Sequence, residues 1–185
     1  NNFGNVLKRV ERCLRINLEI KDLNLREASS EFRISELTAE EMVLITDHKI
    51  PSYLYHRYRY EVFPMNYELD EYPPYLQIEP SSICNYRCNF CYQTDESFSS
   101  IKSEFMGTMK FELYKEIIDI IENRVEFISL ASRGEPFVNK DFNRMLEYSS
   151  NKFLNLKVNT NASLLNEERI HSLLSSVKTI VFSID

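Results

Sequence analysis

The stretch YLQIEPSSICNYRCNFC, residues 75–91, opens as an alternating, partly apolar run and closes on three cysteines. YLQIEP, at 75–80, reads as a short β-strand, which puts the cysteines in the loop that leaves it. Cys84, Cys88 and Cys91 stand four and then three positions apart, and the fourth cysteine, Cys13, lies far upstream. Three soft thiolates on one loop are a natural metal-binding set. A structural zinc site takes four ligands, usually from paired Cys-x2-Cys units. The other candidates, Cys13, His48, His56 and His171, are neither near the loop nor paired in zinc spacing. An electron-transfer iron–sulfur centre also takes a fourth cysteine. A [4Fe–4S] cube held by three thiolates differs from both, because its fourth iron stays open to an exchangeable small molecule. From the cysteines alone, four readings stand: an open cluster, an electron-transfer iron–sulfur module, a zinc-binding module, and a chance grouping of thiols.

Bulk properties narrow the field. A chain of 185 residues can bury a core as one domain or as one with a smaller appendage. Hydrophobic residues at 43% and charged residues at 27% are ordinary for a globular protein. A net charge of −6 argues against nucleic acid as a partner, since phosphate binding calls for a clustered basic surface. No apolar run approaches the ~18 residues of a membrane span. NNFGNVLKRVERCLRINLEI, at 1–20, lacks the apolar core of a secretory signal, so the expected location is cytoplasmic. In a reducing compartment, clustered cysteines bind metal or act in catalysis more often than they pair.

The sequence divides at YPP, 72–74, where two prolines interrupt any helix or central strand. Residues 1–72 are expected to form a small α+β region whose role the sequence leaves unassigned. Leu14, Ile16, Leu18 and Ile20 alternate as in a strand, and ELTAEEMVLITDH reads as a helix capped by Thr38. The tyrosines of IPSYLYHRYRYEVFPMNYELDEYPP allow a nucleotide-stacking platform. The preferred reading is that they cover a neighbouring domain, with Arg57 and Arg59 among them.

Residues 73–185 repeat a strand–helix pattern. MKFELYKEIIDIIEN is predicted as a helix capped by Thr108, with Phe111, Leu113, Tyr114, Ile117, Ile118 and Ile121 on one face. VEFISLA (125–131) reads as a strand buried on both sides. DFNRMLEYSSN is a helix with Phe142, Met145 and Leu146 inward, and FLNLKVNTN a third strand. NEERIHSLLSS is a helix capped by Asn166 with Ile170, Leu173 and Leu174 inward, and VKTIVFSID a fourth strand. DESFSSIKSEF (95–105) reads as a polar, mobile linker. The expected fold class is α/β, with parallel βα repeats that carry functional groups at the C-terminal ends of the strands. The chain ends within the fourth strand, as a piece of a longer protein would, because a bare final edge is rarely left uncovered.

The cysteine loop, with aromatic Phe90 just before Cys91, resembles the cluster loop of the radical SAM superfamily, which follows the first strand of a partial (βα)6, TIM-like barrel. Three later strand ends carry matching segments. ASRGEPF (131–137) resembles the family's GGEP segment, with Arg133 in place of its first glycine. VNTNAS (158–163) resembles its TNG segment, with Ala162 in place of glycine, and FSID (182–185) resembles its SxD segment. The resemblance covers about residues 75–185 and so implies that 73–185 is the first half of such a barrel. It points to the branch whose members carry C-terminal auxiliary-cluster (SPASM-type) domains.

The resemblance implies two cofactors, a [4Fe–4S] cluster on Cys84, Cys88 and Cys91, and S-adenosyl-L-methionine on the open iron. It implies contacts to S-adenosylmethionine from Phe90, Gly134, Glu135, Asn159, Ser183 and Asp185, with Phe90 offering backbone against the adenine. A glycine at 134 permits close backbone approach, and a carboxylate at 135 can accept hydrogen bonds from an ammonium. Arg87, in the cysteine loop, is either an offset for thiolate charge or simply solvated. The implied activity is reductive cleavage of S-adenosylmethionine to a 5′-deoxyadenosyl radical that takes a hydrogen atom from substrate. The implied partners are a reductant such as flavodoxin or ferredoxin, and a peptide or carbohydrate-type metabolite as substrate, without nucleic acid or membrane. Such chemistry belongs to the cofactors, while the protein orients and excludes water.

Overall fold

The computed structural model describes residues 8, 41–43, 45–100, 104–131 and 133–184. Cys13, the strand expected at 14–20, Thr38 and Asp185 lie outside the described residues. The chain separates into two compact units, Asn1–Pro74 and Tyr75–Asp185.

In the first unit, a single 3-10 turn, Asp47–Lys49, leads into α1, Ile50–Asn66. Sequence patterning predicts no helix here, because Tyr53, Tyr55, Tyr58 and Tyr60 interrupt the apolar period with amphipathic side chains. The helical signal is nonetheless present in Ile50, Tyr53, Leu54 and Val62, which α1 buries along one stripe. Pro51 sits in the first turn, where a missing N–H costs nothing. Tyr67 ends the helix in a left-handed conformation, its N–H turned back to the carbonyls of Phe63 and Pro64. Arg59 is only 5% exposed, and its charge is tolerable because it is paired. Its Nε lies 2.5 Å from Asp70 Oδ2, and its Nη2 donates to the Tyr72 carbonyl at 2.8 Å.

The second unit is a four-stranded parallel sheet. Its strands are β1 (Tyr75–Ile78), β2 (Phe127–Leu130), β3 (Asn155–Thr160) and β4 (Thr179–Phe182), in spatial order β1-β2-β3-β4. The helices are α2 (Glu96–Ser99), α3 (Phe111–Ile121), α4 (Phe142–Ser149) and α5 (Glu167–Ser176). Sequential order with no reversal is the winding of a barrel rather than of a doubly wound sheet, which reverses partway. The α/β class and parallel βα repeats expected from the sequence are what the chain forms.

Register gives the sheet two unlike faces. Ile78, Leu130 and Val158 share one row, and Ile128 and Leu156 share another, all nearly or fully buried. Tyr114 and Ile118 of α3, Phe142, Met145 and Leu146 of α4, and Leu173 of α5 are equally buried and complete that layer. The opposite face carries an unbroken polar row, Gln77–Ser129–Lys157–Thr179, one residue from each strand.

Several sequence expectations need correction. Lys110, not Thr108, is the N-cap of α3. Thr108 instead bridges antiparallel to Ser81. Leu113 is exposed, as are Ile170 and Leu174 of α5. Each lies one step around the helix from a residue that does reach the sheet, and a stripe wide enough to include it exceeds what one sheet face can cover. Residues 96–99 form α2, capped by the Asp95 side chain on Ser97 N–H, where the sequence suggested only a linker. The Asn166 cap stands, its side chain accepting from Arg169 N–H.

Candidate cofactor site

The C-terminal ends of the strands are where the cysteine loop and the three later segments lie, and backbone contacts fasten them together. Glu135 N–H donates to the Ile83 carbonyl at 3.0 Å, and Gly134 lies against the backbone of Ser81–Ile83. A Cβ at 134 would fall 2.6 Å from Ile83 O and 2.7 Å from Ser82 C, so a side chain has no room. The glycine thus admits the chain's own cysteine loop.

Glu135 is 2% exposed, and its carboxylate accepts hydrogen bonds on both oxygens. Oε1 accepts from the Thr160 hydroxyl at 2.8 Å and from Phe137 N–H at 3.2 Å, while Oε2 accepts from Asn161 N–H at 2.8 Å. These donors make it a clasp between the ends of β2 and β3. Thr160 Oγ also accepts from Ala162 N–H at 3.1 Å, and Ser183 N–H donates to the Thr160 carbonyl at 2.9 Å, which brings in the end of β4. Ala162 takes a left-handed φ of 63°, the conformation for which a glycine is usual.

Asn161 was not singled out in the sequence. Its Nδ2 donates to Cys84 Sγ at 3.7 Å and to Asn85 Oδ1 at 3.1 Å. Its Oδ1 accepts from the N–H and the hydroxyl of Ser163. The signal was available, since period-two alternation puts residues 159 and 161 on the same face of the strand and its continuation. Asn159, which the resemblance implies as a contact, has a buried Oδ1 with no hydrogen-bond partner. Gln93 was also missed. It is 1% exposed, and its Nε2 donates to the carbonyls of Ser82 at 2.9 Å and Arg133 at 2.6 Å, stapling both loops. No sequence pattern marks such a buried glutamine.

Cys84, Cys88 and Cys91 are free thiols of intermediate exposure. Cys91 N–H donates to the Cys88 carbonyl at 2.9 Å, and Tyr86 N–H to Cys84 Sγ at 3.4 Å. Arg87 is exposed and donates to the carbonyls of Cys84 and Tyr86. Phe90 is 75% exposed at the loop tip, and the Ser183 side chain is exposed. Arg133 pairs with Glu79 through two bonds of 2.8 Å. That pairing holds the guanidinium as its conjugate acid above its ordinary range, chiefly through the hydrogen bond. Among the described residues, no three His, Cys, Asp or Glu side chains converge on a single point as a mononuclear metal site has them. Three soft sulfur donors, with N–H groups directed at one of them, do fit an iron–sulfur cluster.

Residues 78–185, more than half of the chain, match the family described as the Radical SAM superfamily. The chain belongs to that superfamily. Its cofactors are a [4Fe–4S] cluster and S-adenosylmethionine, which the three free thiols suit. A tungsten-containing aldehyde ferredoxin oxidoreductase cofactor-modifying protein from Pyrococcus furiosus is 30% identical over 117 residues, 60% of this chain and 30% of that protein. The antilisterial bacteriocin subtilosin biosynthesis protein AlbA from Bacillus subtilis is 27% identical over 112 residues, 60% of this chain and 24% of AlbA. The aligned region therefore spans less than a third of either relative. Among solved structures, BtrN in complex with AdoMet and 2-DOIA aligns at TM-score 0.47 and 24% identity, covering 61% of this chain and 46% of that one. SuiB from Streptococcus suis bound to precursor peptide SuiA aligns at 0.49 and 18%, covering 91% and 36%. No helix among the described residues is long and apolar enough to cross a membrane.

Proposed function

We propose that this radical SAM chain carries the cluster-binding and S-adenosylmethionine-binding half of an enzyme that abstracts a hydrogen atom from its substrate. The observation that supports this most directly is the fastening of the cysteine loop to the ends of β2 and β3, through Gly134, Gln93 and Asn161. With both cofactors bound, the chemistry supplied is reductive cleavage of S-adenosylmethionine to methionine and a 5′-deoxyadenosyl radical. Cys84, Cys88 and Cys91 hold the cluster. Backbone at Phe90 and Gly134, together with Asn159 and Ser183, lines the S-adenosylmethionine pocket. Asn159 brings a buried acceptor in want of a donor, which a ribose hydroxyl can be.

Glu135 serves this pocket through position, since its carboxylate is spent on Thr160, Phe137 and Asn161. The polar row Gln77–Ser129–Lys157–Thr179 suits a chamber for ligand, where a packed barrel interior carries layers of branched apolar side chains. Likeness to AlbA, named for subtilosin biosynthesis, supports a peptide substrate. A flavodoxin- or ferredoxin-type donor delivers the electron.

The test is anaerobic reconstitution of the full-length protein with iron and sulfide, followed by dithionite and S-adenosylmethionine. Formation of 5′-deoxyadenosine is expected. A protein that assembles no chromophore, or whose cluster neither binds nor cleaves S-adenosylmethionine, overturns the reading.

A further inference from the structure

We infer that Asn161 sets the reduction potential of the cluster held by the three cysteines, and that Glu135 keeps Asn161 in place to do so. The inference rests on the function proposed above and assigns a role to two residues of the same site.

The three sulfurs have unequal surroundings. Cys84 Sγ accepts two N–H groups, the Tyr86 backbone at 3.4 Å and the Asn161 side chain at 3.7 Å. Among the described residues, no hydrogen bond reaches the sulfur of Cys88 or Cys91. An N–H directed at a ligating sulfur stabilises the state with more negative charge, which is the reduced one, and so raises the potential. The Tyr86 donor is backbone and comes with the loop itself. The Asn161 donor is a side chain from another strand end and is the one a substitution can alter.

Asn161 is placed from three sides. Its backbone N–H is held by Glu135 Oε2 at 2.8 Å. Its side-chain oxygen is held by Ser163 N–H at 3.0 Å, which leaves Nδ2 to face Cys84 and Asn85. The Ala162 turn, in a left-handed conformation, folds Ser163 back to make that contact. Glu135 is buried, so its hold on Asn161 is not weakened by solvent. The arrangement bears on the chemistry because S-adenosylmethionine cleavage begins with uptake of one electron from a low-potential donor. A cluster whose potential is too low does not accept it.

The experiment is a redox titration of the full-length protein, reconstituted anaerobically, following the reduced cluster by electron paramagnetic resonance. Asn161→Leu removes the donor and keeps the number and branching of the side-chain heavy atoms. Asn161→Asp keeps the shape but replaces the donor with a carboxylate oxygen. At the wild-type midpoint, the reduced-to-oxidised ratio is expected to fall about threefold or more in Asn161→Leu. A threefold fall corresponds to a shift of about 28 mV at 59 mV per tenfold change. Asn161→Asp is expected to fall further, and Glu135→Gln to shift less in the same direction, each midpoint being read on the cluster-loaded protein.

An unchanged or raised midpoint in cluster-loaded Asn161→Leu overturns the inference. Should that variant not load, Asn161→Ala, which removes the Nδ2 donor without adding charge, decides by the same criterion. If Asn161→Leu shifts as expected but Glu135→Gln does not, the part assigned to Glu135 is overturned. Failure of the wild-type protein to assemble a cluster sinks the functional reading instead, so the two failures can be told apart.

Discussion

Gly134 and Ser81 are so close that a Cβ on the glycine would lie 2.2 Å from the Ser81 carbonyl oxygen. Backbone presses on backbone, so neither side can yield by turning a side chain. Gly134→Ala must therefore push the cysteine loop away from β2. The expected cost is about 1–3 kcal/mol, the range for forcing an extra methyl into a packed site. Thermal unfolding should show a lowered midpoint, and the reconstituted variant should hold less iron than wild type. An unchanged midpoint would mean that the loop moves aside at no cost.

Glu135→Gln keeps the volume but puts an amide NH2 where a carboxylate oxygen now accepts. At least one of the donors on Thr160, Phe137 and Asn161 then loses its acceptor in a buried site. About 1–3 kcal/mol of stability should be lost, the desolvation cost of an orphaned buried donor. The check is the urea midpoint, which should fall with little change in slope.

Ala162→Gly should stabilise. A φ of 63° costs an L-residue about 1–2 kcal/mol, while glycine's greater freedom in the unfolded chain returns about 0.5–1 kcal/mol. The net gain, between about 0 and 1.5 kcal/mol, appears as a higher denaturation midpoint. A fall would show that the methyl group makes contacts worth more than the strain.

Cys84→Ala, Cys88→Ala and Cys91→Ala should each abolish cluster assembly, measured as bound iron and sulfide after anaerobic reconstitution. Cys13→Ala should leave the content at the wild-type level. Loss of the cluster in Cys13→Ala would mean a fourth thiolate ligand and leave no open iron.

The sequence by itself determined the parallel βα repeats of the second unit and pointed to three cysteines as the proposed ligand set. Cys84, Cys88 and Cys91 are legible because metal ligation needs particular atoms at short spacing. The β1–β4 strands are legible because runs such as FISL and NLKV carry their burial pattern in one dimension. The buried residues Phe142, Met145, Leu146 and Leu173 followed from helical periodicity. Tertiary structure alone decided which neighbouring apolar residue stays outside, as with Leu113, Ile170 and Leu174, because the width of the covered stripe depends on the partner surface. It alone showed α1 behind the tyrosines, and the bond from Asn161 to Cys84, 77 residues apart in the chain. It also gave Gly134 and Glu135 their partners within the chain: glycine at 134 lies against the Ser81 carbonyl, and the carboxylate of Glu135 accepts from Thr160, Asn161 and Phe137. Such pairings are set by which strand ends meet, and periodicity within one strand carries no record of the next.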